Sequence, residues 1–185
     1  MKTTSSLHLR VLSLVWLGLL TFVLSPTLLS AENHFSNHVF FKHLLGDWKA
    51  EGKLTGQDGN VIEVTEDWKG RVSDEGDFIM EGSRKIGDSK QTFQWTLTYD
   101  ASTGLYAVTH NVNSGEGDKQ QRFEISVSET ALTMELSTFL SDGNSKVTIK
   151  DSFAGDVRDT LNSEVTFVND QGATTLSGTI VHKKS

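Results

Sequence analysis

The chain of 185 residues contains no cysteine and only one proline, Pro26. Without cysteine there is no disulfide framework, no thiolate metal site and no residue to accept a lipid anchor behind a leader. Basic residues are the minority charge, 17 Lys and Arg against 24 Asp and Glu, and no basic stripe runs along the chain. The phosphate-neutralising charge that nucleic acids require is therefore missing, and nucleic acid is not an expected partner. Catalytic signatures are absent as well: there is no Gly-x-Ser-x-Gly elbow, no His-Glu-x-x-His and no Gly-x-x-x-x-Gly-Lys-Ser/Thr. Gly115-Glu116-Gly117 lacks the third glycine and the flanking strand and helix of a phosphate cradle, so it is expected to form a rim loop. No Asn-x-Ser/Thr sequon occurs.

One long apolar run is present, at the N-terminus. Lys2 and Arg10 precede Val11 to Leu24, and Ser25, Pro26 and the small-residue ending Leu29-Ser30-Ala31 follow. This order of charge, apolar core and small residues predicts a signal peptide over 1–31 cleaved after Ala31. The alternative is an uncleaved anchor, since Val11 to Leu29 approaches the ~20 residues that span a bilayer. With cleavage, removing Lys2 and Arg10 leaves 15 basic against 24 acidic residues, a formal charge of −9. The expected product is a bacterial periplasmic or secreted protein with no membrane anchor.

Residues 32–185 predict one all-β domain. Only Asn33 to Leu45 suggests a helix, with Val39, Phe40, Leu44 and Leu45 on one face and Gly46 as the stop. After it, strand patterning recurs near 47–56, 61–72, 77–86, 91–99, 105–112, 119–128, 131–139, 145–153, 160–168 and 173–182. Short turn clusters such as Gln57-Asp58-Gly59-Asn60 and Ser141-Asp142-Gly143-Asn144 separate them. A ten-strand meander with one apolar face buries that face and removes its edges by closing into an antiparallel up-and-down barrel. A two-sheet sandwich is the competing architecture, but it commonly needs longer crossings than the longest connection here, near 113–118.

Gly46-Asp47-Trp48 and Gly52 after a short helix resemble the G-x-W opening of lipocalin-like proteins. Tyr99-Asp100-Ala101-Ser102-Thr103-Gly104-Leu105-Tyr106 is similar to the mid-domain turn of a family of uncharacterised, often exported, bacterial lipocalin-like domains. The resemblance implies a calycin-type barrel with an internal cavity and carries no activity with it. Nitrobindin is a more distant likeness and would imply haem at the barrel mouth. At the place of its iron-ligating histidine this chain has Ala173-Thr174-Thr175-Leu176, with His182 at the strand's far end. The lipocalin arginine that packs over the opening Trp is also not evident, Lys183 and Lys184 being the only late basic residues.

Alternation assigns inward side chains on every strand. Four ionisable residues interrupt the apolar sets: Glu66, Arg84, His110 and Asp151. A hairpin centred on Glu75 puts Glu66 opposite Arg84. A two-residue turn at Asp88-Ser89 would put Arg84 opposite Phe93 and Gly82 opposite Trp95, and the next turn pairs Trp95 with His110. Gly82 would then leave a slot between Trp68 and Trp95 for a flat ligand. The candidate ligand-binding residues are Glu66, Trp68, Arg84, Trp95, Tyr106 and His110, and the expected ligand is small and partly hydrophobic or aromatic. Three alternatives stand beside this: a barrel filled by its own side chains, with a structural Glu66–Arg84 pair; a haem-binding or enzymatic barrel using His110 with Glu66, Arg84 or Asp151; and a structural or interaction domain. No cofactor or metal is otherwise expected. His34 and His38 stand at i,i+4 without a partner carboxylate.

Overall fold

The structure, a computed structural model, describes residues 34–114, 118–155 and 158–185. The expected signal peptide and the glycine-rich segment at 115–117 lie outside them. The remainder is a closed antiparallel barrel of ten strands. They are β1 (Gly46–Gly56), β2 (Val61–Val72), β3 (Phe78–Ile86), β4 (Ser89–Asp100), β5 (Leu105–Asn113), β6 (Asp118–Ser128), β7 (Thr133–Phe139), β8 (Lys146–Phe153), β9 (Thr160–Val168) and β10 (Thr174–Lys184). Each strand pairs with its sequence neighbour, and β1 closes the ring on β10, with Ala50 opposite His182 and Gly52 opposite Ile180. Closure leaves no free edge, which settles the choice between barrel and sandwich.

Strand alternation explains the layers. On β1, Trp48, Ala50 and Leu54 are buried while Lys49, Glu51 and Lys53 are exposed. The outer face carries charge pairs such as Lys49–Asp67 and Arg71–Glu81, both at 2.9 Å, unlike the apolar band of a membrane-spanning barrel. Among the described residues no helix is long and apolar enough to cross a membrane.

The N-terminal segment corrects the expectation of one amphipathic helix. It forms two single turns, α1 (His34–Asn37) and α2 (Phe41–Leu44). The break follows from His38, whose Nδ1 accepts the backbone N–H of Phe40 at 3.1 Å. Splitting the helix lets Phe35, Phe40, Phe41 and Leu44 all reach the interior, each no more than 1% exposed, while Val39 turns outward. These residues plug one barrel end against Phe78, Leu97 and the stacked indoles of Trp48 and Trp68, whose centroids are 5.2 Å apart. The Trp48 N–H donates to the Leu44 carbonyl at 3.0 Å. Over the same indole lies the Lys184 ammonium, 5.6 Å from the ring, which also donates to the His43 carbonyl at 3.3 Å. Lys184 thus covers the opening Trp.

One register also needs correction. Ile86 pairs with Ser89, so the turn is Gly87-Asp88, with Gly87 at φ +58 in the first central position that favours glycine in tight hairpins. Moving the turn by one residue moves the pairing by two: Arg84 faces Gln91 rather than Phe93, and Gly82 faces Phe93 rather than Trp95. Because the shift is even, every side chain keeps its face. Glu66 opposite Arg84 and Trp95 opposite His110 stand as expected.

Candidate functional site

Beyond the plug the barrel encloses a cavity of about 400 Å³, within the range of small-molecule sites. Most of its wall is apolar, from Leu54, Val64, Met80, Phe93, Leu136, Val147, Val165 and Ile180 among others. Of the residues expected from sequence, Glu66, Arg84, Trp95 and His110 line it together, and Asp151 joins them. Trp68 and Tyr106 do not line it. Trp68 is buried against Trp48, and the Tyr106 hydroxyl is 2.8 Å from His34 Nε2 at the plug, where burial pushes the phenol up to about 12. Gly82 provides no slot either. A Cβ there would lie 2.1 Å from the Asp67 carbonyl oxygen and 2.7 Å from the Trp68 Cα, so glycine serves the close approach of β3 to β2.

The ionisable residues form a band across the wall. Arg84 Nε donates to Gln91 Oε1 at 3.0 Å, its guanidinium lies 5.3 Å from the Phe93 centroid, and its Nη1 is 4.0 Å from Glu66 Oε1. That last separation is an ion pair without a direct hydrogen bond. Burial raises the Glu66 carboxyl above its ordinary range against the opposing pull of Arg84, and burial lowers Arg84 against the pull of Glu66. On β1 the small Ala50 separates Glu66 from His182, and His182 Nδ1 approaches Glu66 Oε2 to 4.0 Å.

From His182 the band continues through Ser163 to Asp151, which face each other across β8 and β9. The Trp68 indole N–H donates to His182 Nδ1 at 3.0 Å, so that nitrogen carries a lone pair and the imidazole proton sits on Nε2. Nε2 lies 2.9 Å from Ser163 Oγ, and the Ser163 hydroxyl donates to Asp151 Oδ1 at 2.5 Å. The chain therefore has one direction, from Trp68 through His182 and Ser163 to Asp151. The serine stands between histidine and carboxylate instead of handing its proton to the histidine, so the set lacks the polarity of a nucleophilic triad. Burial lowers His182 to about 4. The wholly buried Asp151 is raised to about 7 by burial, with Ser163 opposing and Glu66 adding to the rise.

His110 stacks on Trp95 with centroids 3.9 Å apart and an interplanar angle of 13°. It is 8% exposed, and its Nε2 has no hydrogen-bond partner among the described residues. Burial, then the nearby Arg84 charge, lowers it to about 3. No group of three or more metal-ligating side chains occurs among the described residues. His34 and His38 are engaged at the plug, His34 with Tyr106 and His38 with the Phe40 N–H and with Glu129 at 3.2 Å.

Sequence reading missed Ser163 as a site residue, and it set His182 inward at the end of the last strand without counting it among the site residues. The parity of Ser163 with Val165 and of His182 with Ile180 was the available signal; the β1–β10 closure that brings His182 to Glu66 is not local.

No family model and no curated protein matches the sequence. Solved structures share the fold. One is a protein of unknown function from the DUF3598 family of Nostoc punctiforme, with 15% identity, a TM-score of 0.53 and 78% of this chain covered. The match spans 48% of that protein, about half its length. Another is the S-type phycobiliprotein lyase CPES from Guillardia theta, with 12% identity, a TM-score of 0.50, and coverage of 79% of this chain and 90% of that one. At these identities the likeness establishes the antiparallel barrel fold and nothing finer.

Proposed function

We propose that this protein is a binding protein that holds one small, largely apolar molecule inside the barrel. The observation that carries the reading is the cavity of about 400 Å³ in which an apolar wall meets one polar band. A barrel of this size can be packed solid, and a structural Glu66–Arg84 pair alone would need no empty space beside it. The stacked Trp95 and His110 rings provide a flat platform for a planar guest. The name of the CPES neighbour, a phycobiliprotein lyase, is compatible with small-molecule handling in such a barrel. Export through the leader over 1–31 belongs to the same reading and rests on the sequence pattern alone.

Native mass spectrometry of the protein purified from its own cells tests this. A retained small molecule released on denaturation is expected. A bare polypeptide mass, together with no uptake of any apolar fluorophore, would overturn the reading.

A further inference from the structure

Resting on that reading, we propose that the guest carries a protonated amine on a flat apolar body, with its ammonium held by the carboxyl groups of Glu66 and Asp151.

The argument is a charge inventory of the cavity wall. β2 contributes Glu66, β3 Arg84, β5 His110, β8 Asp151 and β10 His182, while Lys119 stands at the exposed end of β6. The linings from β1, β4, β7 and β9 are uncharged, with Gln91 and Ser163 their polar members. Neither histidine can supply positive charge cheaply. A proton on His182 Nδ1 would point at the Trp68 N–H that now donates to that atom at 3.0 Å. His110 is stacked on Trp95 and lies near the Arg84 charge. The deep wall therefore sets two carboxyl groups against one guanidinium, and by itself it balances only if one acid stays protonated.

An ammonium ion removes that mismatch. Glu66 accepts no hydrogen bond from a described side chain, its nearest cationic atom being 4.0 Å away. Asp151 uses Oδ1 for Ser163. His182 and Ser163 link these two carboxyl groups in one continuous band, and the ammonium is assigned to that wall between them. A carboxylate guest would instead place a third acid beside one arginine and would have to draw a proton in. The buried, unpartnered Nε2 of His110 is an independent sign that the cavity receives a polar contact from its guest.

The direction of proton movement distinguishes the two cases. Naphthylethylamine, naphthylacetamide and naphthylacetate present the same flat body with a cationic, neutral or anionic head, and calorimetry in two buffers of different ionisation enthalpy counts protons exchanged. The amine is expected to bind at least about tenfold more tightly than the acid, to release a proton near neutral pH as Asp151 ionises, and to tighten between about pH 6 and pH 8. Asp151→Asn should abolish the release, and both it and Glu66→Gln should weaken the amine by a larger factor than they change the amide. Tighter binding of the acid, or proton uptake with the amine, would overturn the assignment. Binding of the amide or another neutral fluorophore without the amine would overturn it and leave the cavity reading standing. Failure of every probe would remove both.

Discussion

The indole N–H of Trp68 on β2 donates to Nδ1 of His182 on β10, reaching past β1 at 3.0 Å. This contact fixes the tautomer of His182 and hence the direction of the hydrogen bonds that end on Asp151. Trp68→Phe keeps a ring over Trp48 but leaves a buried acceptor without its donor. The expected cost is at least about 1–3 kcal/mol in urea denaturation at neutral pH. The same change in a His182→Phe background should cost less, because the orphaned acceptor is gone; strict additivity of the two losses would contradict the coupling.

Asp151 makes stability depend on pH in a sense opposite to the histidines. Its folded-state pKa of about 7 stands above the ordinary 3.8, so the folded protein holds a proton that the unfolded chain has lost. Its contribution is present below about pH 4 and disappears as pH rises through about 7. His110 and His182 are lowered from 6.5 to about 3 and about 4, so their contribution is lost as pH falls below about 6.5. Asp151→Asn should accordingly match the parent near pH 4 and exceed it by on the order of a few kcal/mol above pH 8, read by denaturation at both pH values. An equal difference at both would contradict the burial assigned to this carboxyl.

Gly82→Ala tests the close approach of β3 to β2. The added Cβ meets backbone atoms of Asp67 and Trp68, which cannot swing aside as a flexible side chain can. Destabilisation by about 1–3 kcal/mol or more is expected. A neutral effect on the denaturation midpoint would mean the two strands can separate at no cost.

At the plug, Phe41 is fully buried among Phe35, Phe40, Phe78 and Tyr106. Phe41→Ala should cost about 3–5 kcal/mol. Since Phe41 does not line the cavity, the folded variant should still bind a cavity ligand, whereas loss of binding in folded protein would mean the plug shapes the site.

The fold was legible because alternation is local: from Trp48 to His182 the parity of each strand separates interior from exterior, and ten alternating segments leave a barrel as the economical closure. Register was legible where a turn's centre was unambiguous, as at Glu75, and failed at Gly87-Asp88-Ser89, where only the backbone sign of Gly87 chooses between adjacent turns. The site was half legible. Glu66, Arg84, His110 and Asp151 announce themselves as charges on an apolar face. Ser163 does not, being small and uncharged, and His182 meets Glu66 and Trp68 only through ring closure. Trp68 and Tyr106 share the inward face with the lining residues, yet they stand at the level of the plug, a height along the barrel that parity does not encode.

The central claim, that the barrel interior is a binding cavity, is tested most directly by titrating the protein and its Val147→Trp variant with N-phenylnaphthylamine, a neutral fluorophore. Val147 is buried on β8 and lines the cavity, so an indole there fills the space a guest would occupy. The parent should saturate with one fluorophore per chain and show energy transfer from Trp95, and the folded variant should bind at least about tenfold more weakly. Equal binding by both proteins, or no binding by the parent, would contradict it.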